Sequence, residues 1–132
     1  MIRQAREDIH ALQDGGVDGL FFANEFSLPY QPKADYVTVA AIAYIVGQLK
    51  KEIRIPYGVN VVLNPMASLE LAAATDAMFI RSSFTGAYMG EQGLTNTDGA
   101  AVVRRKKALG LDHVKMLYKV NPESEAYLVE RD

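Results

Sequence analysis

The feature that most constrains the fold is an alternation of amphipathic helices with short, almost fully apolar runs. Residues 19–24 and 58–63 are apolar over most of their length, which is typical of strands that are covered on both faces. Between them, residues 34–53 carry apolar side chains at helical spacing. Parallel strands need a crossover of a dozen or more residues, so this alternation predicts a parallel α/β sheet.

The same alternation extends along the whole chain, and capping or breaking residues bound its elements. Gly15 and Gly16 follow the first helix, Pro56 ends the second, and Asn64 with Pro65 begins the third. The predicted helices cover residues 2–12, 34–53, 64–74, 100–109 and 122–130, and the predicted strands cover residues 19–24, 58–63, 78–81 and 114–120. Residues 85–99 are rich in glycine and lack apolar periodicity, so we expect a mobile loop able to act as a lid.

Four strands fit two architectures, an open doubly wound sheet or part of a (βα)₈ barrel. A complete barrel takes about 250 residues, whereas this chain has 132 and opens on a helix. We therefore predict a single α/β domain over residues 1–132 that forms an internal piece of a TIM barrel, about strands two to five. Such a piece leaves two sheet edges and an interior face uncovered. If the molecule ends at residues 1 and 132, we expect a homo-oligomer, with two half-barrels paired across a two-fold axis; if it belongs to a longer chain, the missing strands would cover the same surfaces.

Composition excludes several classes of function. The chain is 49% hydrophobic and 23% charged, as soluble globular domains are. Its net charge of −2 gives no support to a nucleic-acid partner. It has no cysteine, which excludes disulfides, thiolate metal sites and cysteine nucleophiles. We find no secretory signal and no apolar run of the roughly 18 residues that a membrane span needs, so we expect a cytoplasmic protein without a transmembrane segment.

The alternation of side chains along each strand predicts which residues face the barrel interior. One face of each strand is apolar and should pack against helices, so the polar residues of opposite parity point inward. Barrels and open parallel sheets both bind ligands where their strands end, and each predicted strand has a polar group there. The predicted interior and rim residues are Asn24, Glu25, Asn60, Arg81, Lys115 and Lys119.

These residues together predict a site for a small anionic metabolite. Burying Arg81 without a partner would be costly, and an anionic group of a ligand would offset that cost. We expect Arg81 and Lys119 to hold the anion, with Lys115 acting as an electrophile or as a base. Structural ion pairs are the alternative explanation for Arg81 and Lys115. Helix capping is the alternative explanation for Asn64 at the same rim.

The remaining predicted site residues would orient the metabolite and move protons. Asn24 and Asn60 would orient hydroxyl groups, and Glu25 or Glu91 would transfer protons. Thr85 completes the predicted binding set. No Walker A or dinucleotide fingerprint is present, and two isolated histidines do not make a transition-metal site, so we expect no cofactor and no metal. A hard cation held by Glu25 and Glu91, and phosphate contact by the basic residues 104–107, are weaker alternatives.

Several dispersed motifs resemble the BtpA family. They are Gly15-Gly16-Val17-Asp18-Gly19, Asn24, Gly58-Val59-Asn60-Val61, Phe79-Ile80-Arg81 and Thr85-Gly86-Ala87. Two further segments are most similar to the SgcQ branch of that family: Asn24-Glu25-Phe26-Ser27-Leu28-Pro29-Tyr30 and Phe84-Thr85-Gly86-Ala87-Tyr88. The resemblance covers essentially the whole chain, and the motifs occur in the family's order.

The resemblance implies a TIM barrel of roughly twice this length, with one strand before Met1 and further units after Asp132. It implies no defined reaction. The family is named for photosystem I biogenesis, and the SgcQ branch is associated with sugar-phosphate genes. Many members have an acidic residue where this chain has Ala23, whereas Glu91-Gln92-Gly93 fits the family's acidic loop. Three hypotheses remain: a sugar-metabolite enzyme, a non-catalytic assembly factor that binds a protein partner, and an inactive fragment.

Overall fold

The structure is a computed structural model that describes residues 1–120 and 125–129. The helices are α1 (Ile2–Asp14), α2 (Tyr36–Leu49), α3 (Pro65–Thr75) and α4 (Gly99–Ala108), with a 3₁₀ turn at Lys50–Glu52. The strands are β1 (Leu20–Ala23), β2 (Tyr57–Asn60), β3 (Phe79–Ser82), β4 (Gly86–Gly90), β5 (Gly93–Thr97), β6 (Lys115–Tyr118) and β7 (Glu125–Tyr127). Helices and strands therefore alternate in the first half of the chain as predicted.

Four strands form a parallel sheet in the order β1-β2-β3-β6. β2 is short because side chains take over the backbone hydrogen bonds beyond its carboxyl end. Beyond β2, the Val61 N–H donates to Ser68 Oγ at 2.8 Å and the Val62 N–H donates to Asn24 Oδ1 at 2.8 Å. The predicted strand over 58–63 therefore ends at Asn60, since the next two donors are already satisfied.

One face of this sheet packs against the helices and makes the core. Val59 and Ile80 are fully buried there, together with Val46 of α2 and Leu69 of α3. Burying an aliphatic side chain of this size stabilises the fold by about 1.5–3 kcal/mol. Val59 and Ile80 thus share the main core with residues of α2 and α3.

In the described part of the chain the opposite face of the sheet is exposed on β1, β3 and β6 and buried on β2. The parallel register aligns Phe21, Gly58, Phe79 and Lys115 in one row across the four strands. Phe21, Lys115 and Leu117 are exposed on this face, and Arg81 lies two residues beyond Phe79. We call this surface the open face, defined by Phe21, Phe79, Arg81, Lys115 and Leu117.

The glycine-rich stretch 85–99 is a β-hairpin, so the prediction of a long loop was wrong. β4 and β5 pair in antiparallel register from Gly86 opposite Thr97 to Gly90 opposite Gly93. Tyr88 is fully buried on one side of the hairpin, and Gly93 has the positive φ of 92° that the turn requires. The hairpin joins β7 in a second, three-stranded sheet of order β5-β4-β7.

The last predicted helix, over 122–130, is also wrong where the structure describes it. Residues 125–127 are β7, which pairs antiparallel with β4 from Tyr88 opposite Tyr127 to Gly90 opposite Glu125. Residues 121–124 and 130–132 lie outside the described residues. Pairing with an available hairpin edge outweighs the local helical pattern of this short segment.

Candidate functional site

Arg81 is the centre of the polar cluster at the carboxyl end of the parallel sheet. Its guanidinium Cζ lies 4.9 Å from the ring centroid of Phe21, and its Nη2 lies 3.4 Å from Glu25 Oε1. Both side chains are 45% exposed. Glu25 therefore partly neutralises Arg81, and the expected cost of a buried arginine does not arise because solvent reaches the pair.

Glu25 is positioned by the loop that follows β1. Tyr30 donates its hydroxyl to Glu25 Oε2 at 3.1 Å, and the Phe26 N–H donates to Tyr30 Oη at 3.3 Å. Phe26 has φ of 67°, an uncommon conformation for an aromatic residue. The loop thus holds one carboxylate oxygen toward Arg81 and the other toward Tyr30.

The side chains of Asn24 and Asn64 at the rim hydrogen-bond to backbone groups of the protein. Asn24 Oδ1 accepts from the Val62 N–H at 2.8 Å. Asn64 Oδ1 accepts from the Ala34 N–H at 2.9 Å, and its Nδ2 donates to the carbonyls of Gln31 and Val62 at 3.1 and 2.8 Å. Asn64 precedes α3 but makes no capping hydrogen bond. The capping explanation is therefore wrong, and Asn64 instead fastens the loop before α2.

Asn60 lies on the face of β2 that was predicted to point inward, but its side chain is buried and bound to another part of the fold. It is 2% exposed, and its Oδ1 accepts from Ser68 Oγ of α3 at 3.3 Å. The same serine hydroxyl accepts from the Val61 N–H. A buried amide held by α3 positions the end of β2, and the sequence pattern gave no signal of that partner.

Lys115 and Lys119 lie at opposite ends of β6. Lys115 is the first residue of β6 and pairs with Phe79, so it is exposed on the open face one row before Arg81. Lys115 thus lies on the face that was predicted to point inward, but at the amino end of its strand and not at the carboxyl rim. Lys119 follows β6, and its N–H donates to the Ser82 carbonyl at 3.1 Å. Neither ammonium group has an ion-pair partner among the described residues.

Thr85 and Glu91 are separated by the length of the hairpin. Thr85 is exposed just before β4, at the hairpin base, where Thr97 Oγ1 donates to the Ser83 carbonyl at 2.8 Å. Glu91 is exposed in the turn between β4 and β5. No contact within residues 1–120 and 125–129 joins Glu91 to Glu25. The structure therefore does not bring together the two carboxylates of the cation alternative.

Two pockets lie between the loops that leave the sheet. One, of about 240 Å³, is lined by Asn24, Asp35, Thr38 and Val62 beside the loop after β1. The other, of about 310 Å³, separates β5 from the beginnings of α3 and α4. Asp98 lies in that second pocket, but its carboxylate caps α4 by accepting from the Ala101 N–H at 3.0 Å.

The described residues contain no group of three or more His, Asp or Glu side chains able to hold a metal ion. None of the helices among them is long and apolar enough to cross a membrane. The candidate site is therefore built from Arg81, Glu25 and Phe21, with Asn24 supporting the adjoining loop.

Comparison with known proteins identifies the family. The sequence matches the model of the BtpA family over residues 1–132. The chain belongs to the BtpA family. It is 48% identical over all 132 residues to the putative sgc region protein SgcQ of Escherichia coli, and this match covers 49% of that protein. No solved structure matches the chain.

More distant relatives match over most of the chain as well. The photosystem I biogenesis protein BtpA of Synechocystis is 33% identical over 115 residues, which is 85% of this chain and 40% of that protein. The uncharacterized protein MJ1115 of Methanocaldococcus jannaschii is 27% identical over 107 residues, or 80% of this chain and 41% of the relative. The chain thus spans about half the length, or less, of the curated relatives it matches.

Proposed function

We propose that this chain forms part of a (βα)₈ barrel of the BtpA and SgcQ type whose rim binds a small anionic, sugar-phosphate-like metabolite. Four parallel strands joined through helices, with one face packed on those helices and the other open, support the barrel architecture. In such barrels the ligand site lies at the carboxyl end of the strands. Arg81 lies at that end.

The observation that carries the proposal is the environment of the Arg81 guanidinium. It is stacked on Phe21, paired with Glu25 and still half exposed on the open face. A planar guanidinium offers a fork of donors that matches phosphate or carboxylate oxygens. Contact with Phe21 and Glu25 restricts the guanidinium before an anion arrives, so less side-chain entropy is lost when the anion binds.

The other predicted residues take roles that follow from their places. Lys119, just beyond β6, would add positive charge at the rim, and Thr85 and Asn24 flank the adjoining loops. Glu25 would accept a proton from a hydroxyl of the ligand once an anion draws Arg81 away from it. Two predicted residues are less suited to contact the same ligand. Lys115 lies beside Phe79, two residues before Arg81, and Asn60 is buried.

Binding of D-glucose 6-phosphate, with D-glucose as the neutral comparison, tests this function. Isothermal titration calorimetry on the 132-residue chain should detect the phosphate ester and not the free sugar. Arg81→Met keeps the length of the side chain and removes the guanidinium, so affinity should fall at least tenfold, about the effect of one lost charge-assisted pair. Arg3→Met is the control, since Arg3 of α1 has an 89% exposed side chain and makes a 3.8 Å pair with Glu7, away from the carboxyl end of the sheet.

An equal loss of binding in both arginine variants, or equal binding of glucose and its phosphate, would reject the anion site. Substitution of Arg81 by Lys separates charge from shape. A lysine retains the charge but not the planar fork, so it should restore only part of the affinity.

A second candidate function is binding of a protein partner without catalysis. The observation that favours it is a set of strongly exposed apolar side chains around the loop after β1. Phe26 is 92% exposed, Tyr36 86% and Val37 72%. This candidate agrees with the name of the Synechocystis relative, photosystem I biogenesis protein BtpA. If no anionic probe binds and Phe26→Ser with Val37→Ser abolishes association in a defined two-protein assay, this second function replaces the first.

A further inference from the structure

A small polar pocket lies between the loops that follow β1 and β2, and it has a volume of about 240 Å³. Residues of the loop after β1 form one side, residues 34–38 at the beginning of α2 form another, and Val62 completes the lining. Pockets for drug-sized ligands measure about 300–1,000 Å³, so this pocket suits a smaller molecule.

Two asparagine side chains hold the walls of this pocket in place. Asn24 Oδ1 accepts from the Val62 N–H at 2.8 Å, which ties the loop after β1 to the loop after β2. Asn64 Oδ1 accepts from the Ala34 N–H at 2.9 Å, and its Nδ2 donates to the Gln31 carbonyl at 3.1 Å. Hydrogen bonds that fix a pocket before a ligand arrives reduce the ordering that binding requires.

Three polar side chains of the lining have hydrogen-bonding groups left over. The bond to Val62 uses only Oδ1 of Asn24, so its Nδ2 has no partner in the part of the chain that the structure describes. Asp35 is the N-cap residue of α2, where a carboxylate normally accepts from the first turn, but its side chain makes no capping bond. The described residues offer that carboxylate no other hydrogen bond or ion pair, and the hydroxyl of Thr38 is unpaired among them as well.

These groups match the hydroxyls of a sugar, which both donate and accept hydrogen bonds. The carboxylate of Asp35 accepts from a hydroxyl, and Nδ2 of Asn24 donates to a hydroxyl oxygen. Leu28 and Pro29 supply apolar surface for the C–H groups of the ring. An anion would be repelled by Asp35, and an ammonium group would leave the donors of Asn24 unpaired.

From these features we infer that the pocket binds the hydroxyl groups of a monosaccharide through Asp35, Asn24 and Thr38. The inference rests on the proposed function for the class of ligand, since it names the groups that would hold the sugar part of a phosphate ester bound by Arg81. Asn24 directly precedes Glu25, the partner of Arg81, so the two sites adjoin in the chain. Hydroxyl binding in the pocket does not require Arg81, so the sugar site and the anion site can be tested separately.

NMR titration of the 132-residue chain with D-glucose, D-galactose, D-mannose and D-fructose tests the sugar site. At least one of these sugars should shift the side-chain amide signal of Asn24 and the backbone amide signals of Thr38 and Val62. The shifts should appear at sugar concentrations above those used in calorimetry, because a free sugar lacks the phosphate. Arg81→Met should keep these shifts, although it weakens the binding of glucose 6-phosphate.

Two substitutions each remove one polar group from the pocket. Asp35→Asn leaves a good N-cap residue and removes the charge, so the dissociation constant of the sugar should rise at least tenfold, about the effect of losing a hydrogen bond to a charged group. Asn24→Asp keeps an acceptor for the Val62 N–H and removes both donors, with the same expected result. Asp18→Asn, in the exposed turn before β1 and so at the opposite end of the sheet, is the matched control and should bind as the unchanged chain does.

No shift at these amides with any of the four sugars would overturn the inference, as would shifts that persist unchanged in both pocket variants. Loss of the shifts in either variant supports it, and Asp35→Asn alone decides if Asn24→Asp does not fold. If a sugar binds in the pocket but glucose 6-phosphate binds no more tightly than glucose, the sugar site stands and the anion site at Arg81 is rejected. If glucose 6-phosphate binds through Arg81 and the sugar shifts are missing, the anion site stands and the sugar site is rejected.

Discussion

At the scale of single residues, Gly58 sets how closely β2 and β3 approach. A Cβ added there would lie 2.3 Å from the ring of Phe79 and 2.6 Å from its carbonyl oxygen. Because one of these neighbours is backbone, the two strands would have to separate. We expect Gly58→Ala to lower the free energy of unfolding by about 1–3 kcal/mol, the usual cost of overpacking. Urea denaturation followed by circular dichroism measures it.

Gly47→Ala is the control for that substitution. Gly47 lies in α2, and a Cβ there would meet no atom within 4 Å. Alanine is the better helix former, so this change should raise the free energy of unfolding by about 0.5–1 kcal/mol. Equal effects of the two substitutions would show that the Phe79 contact does not govern the packing of the sheet.

Ser68 is a second residue whose side chain has a defined structural task. It is fully buried, and its hydroxyl accepts from the Val61 N–H at 2.8 Å. Ser68→Ala would leave that amide buried without a partner, which costs about 1–3 kcal/mol. Thermal denaturation should show the loss, whereas Ser27→Ala, on the exposed loop after β1, should change little. A wild-type melting temperature for Ser68→Ala would mean that Val61 finds another acceptor.

The sequence was sufficient to predict which strand residues lie on the face away from the helices, but not what their polar groups bind. The two-residue period of a strand placed Arg81 and Lys115 opposite Ile80 and Met116, as the burial pattern shows. In contrast, Asn24 is fixed by a backbone donor 38 residues away. Only the folded chain brings such partners together, which is why the rim asparagines were interpreted as ligand-binding groups.

At the scale of secondary-structure elements, the helices were more predictable than the hairpin. The apolar stripe of α2 extends over fourteen residues, Tyr36–Leu49, and the period is clear at that length. β4 and β5 have five residues each and contain three glycines between them. Glycine has low strand propensity, so the local signal for these strands is weak and their cross-strand pairing decides the outcome.

α1 is fastened to the 3₁₀ turn after α2 through Glu52. Its carboxylate accepts from Arg6 Nε at 3.0 Å and lies 2.8 Å from His10 Nε2. The hydrogen bond with His10, followed by that with Arg6, lowers the pKa of Glu52 below its ordinary value of 4.5. A carboxyl whose pKa is lowered by folding stabilises the protein above its ordinary pKa, and this contribution is lost as the pH falls through the lowered value.

Glu52→Gln should therefore destabilise the chain near neutral pH, and the difference from the unchanged chain should shrink as the pH falls below 4.5. Urea denaturation at several pH values measures the difference. Glu7→Gln is the control, since it removes the same charge from α1, where Glu7 makes only a 3.8 Å pair with exposed Arg3. A constant difference between Glu52→Gln and the unchanged chain down to acidic pH would show that the carboxylate charge is not what fastens α1.

At the scale of the whole molecule, the two sheets have separate centres of packing. The main core contains Val59, Ile80 and Leu69 and reaches the hairpin base through Phe84. Tyr88 is equally buried but lies outside that cluster, and its ring packs edge-on against Tyr127 of β7 with centroids 4.6 Å apart. The three-stranded sheet thus has a small core of its own, and regions with small cores open at lower free energy than the global transition.

We expect the chain to unfold in two steps, with the three-stranded sheet opening before the parallel sheet. Tyr127→Ala removes the ring that covers Tyr88, so it should speed the exchange of the amides of β4 and β5 about tenfold or more, since an aromatic pair adds roughly 0.5–1.5 kcal/mol beyond its buried area. The amides of β2 and β3 should keep their exchange rates, because these strands pack on α3 and their residues Val59 and Ile80 belong to the main core. Native-state hydrogen exchange followed by NMR resolves both sets in one sample. Equal acceleration in both sheets would mean that Phe84 couples them into a single cooperative unit, and the hairpin would then be as integral to the fold as the parallel strands.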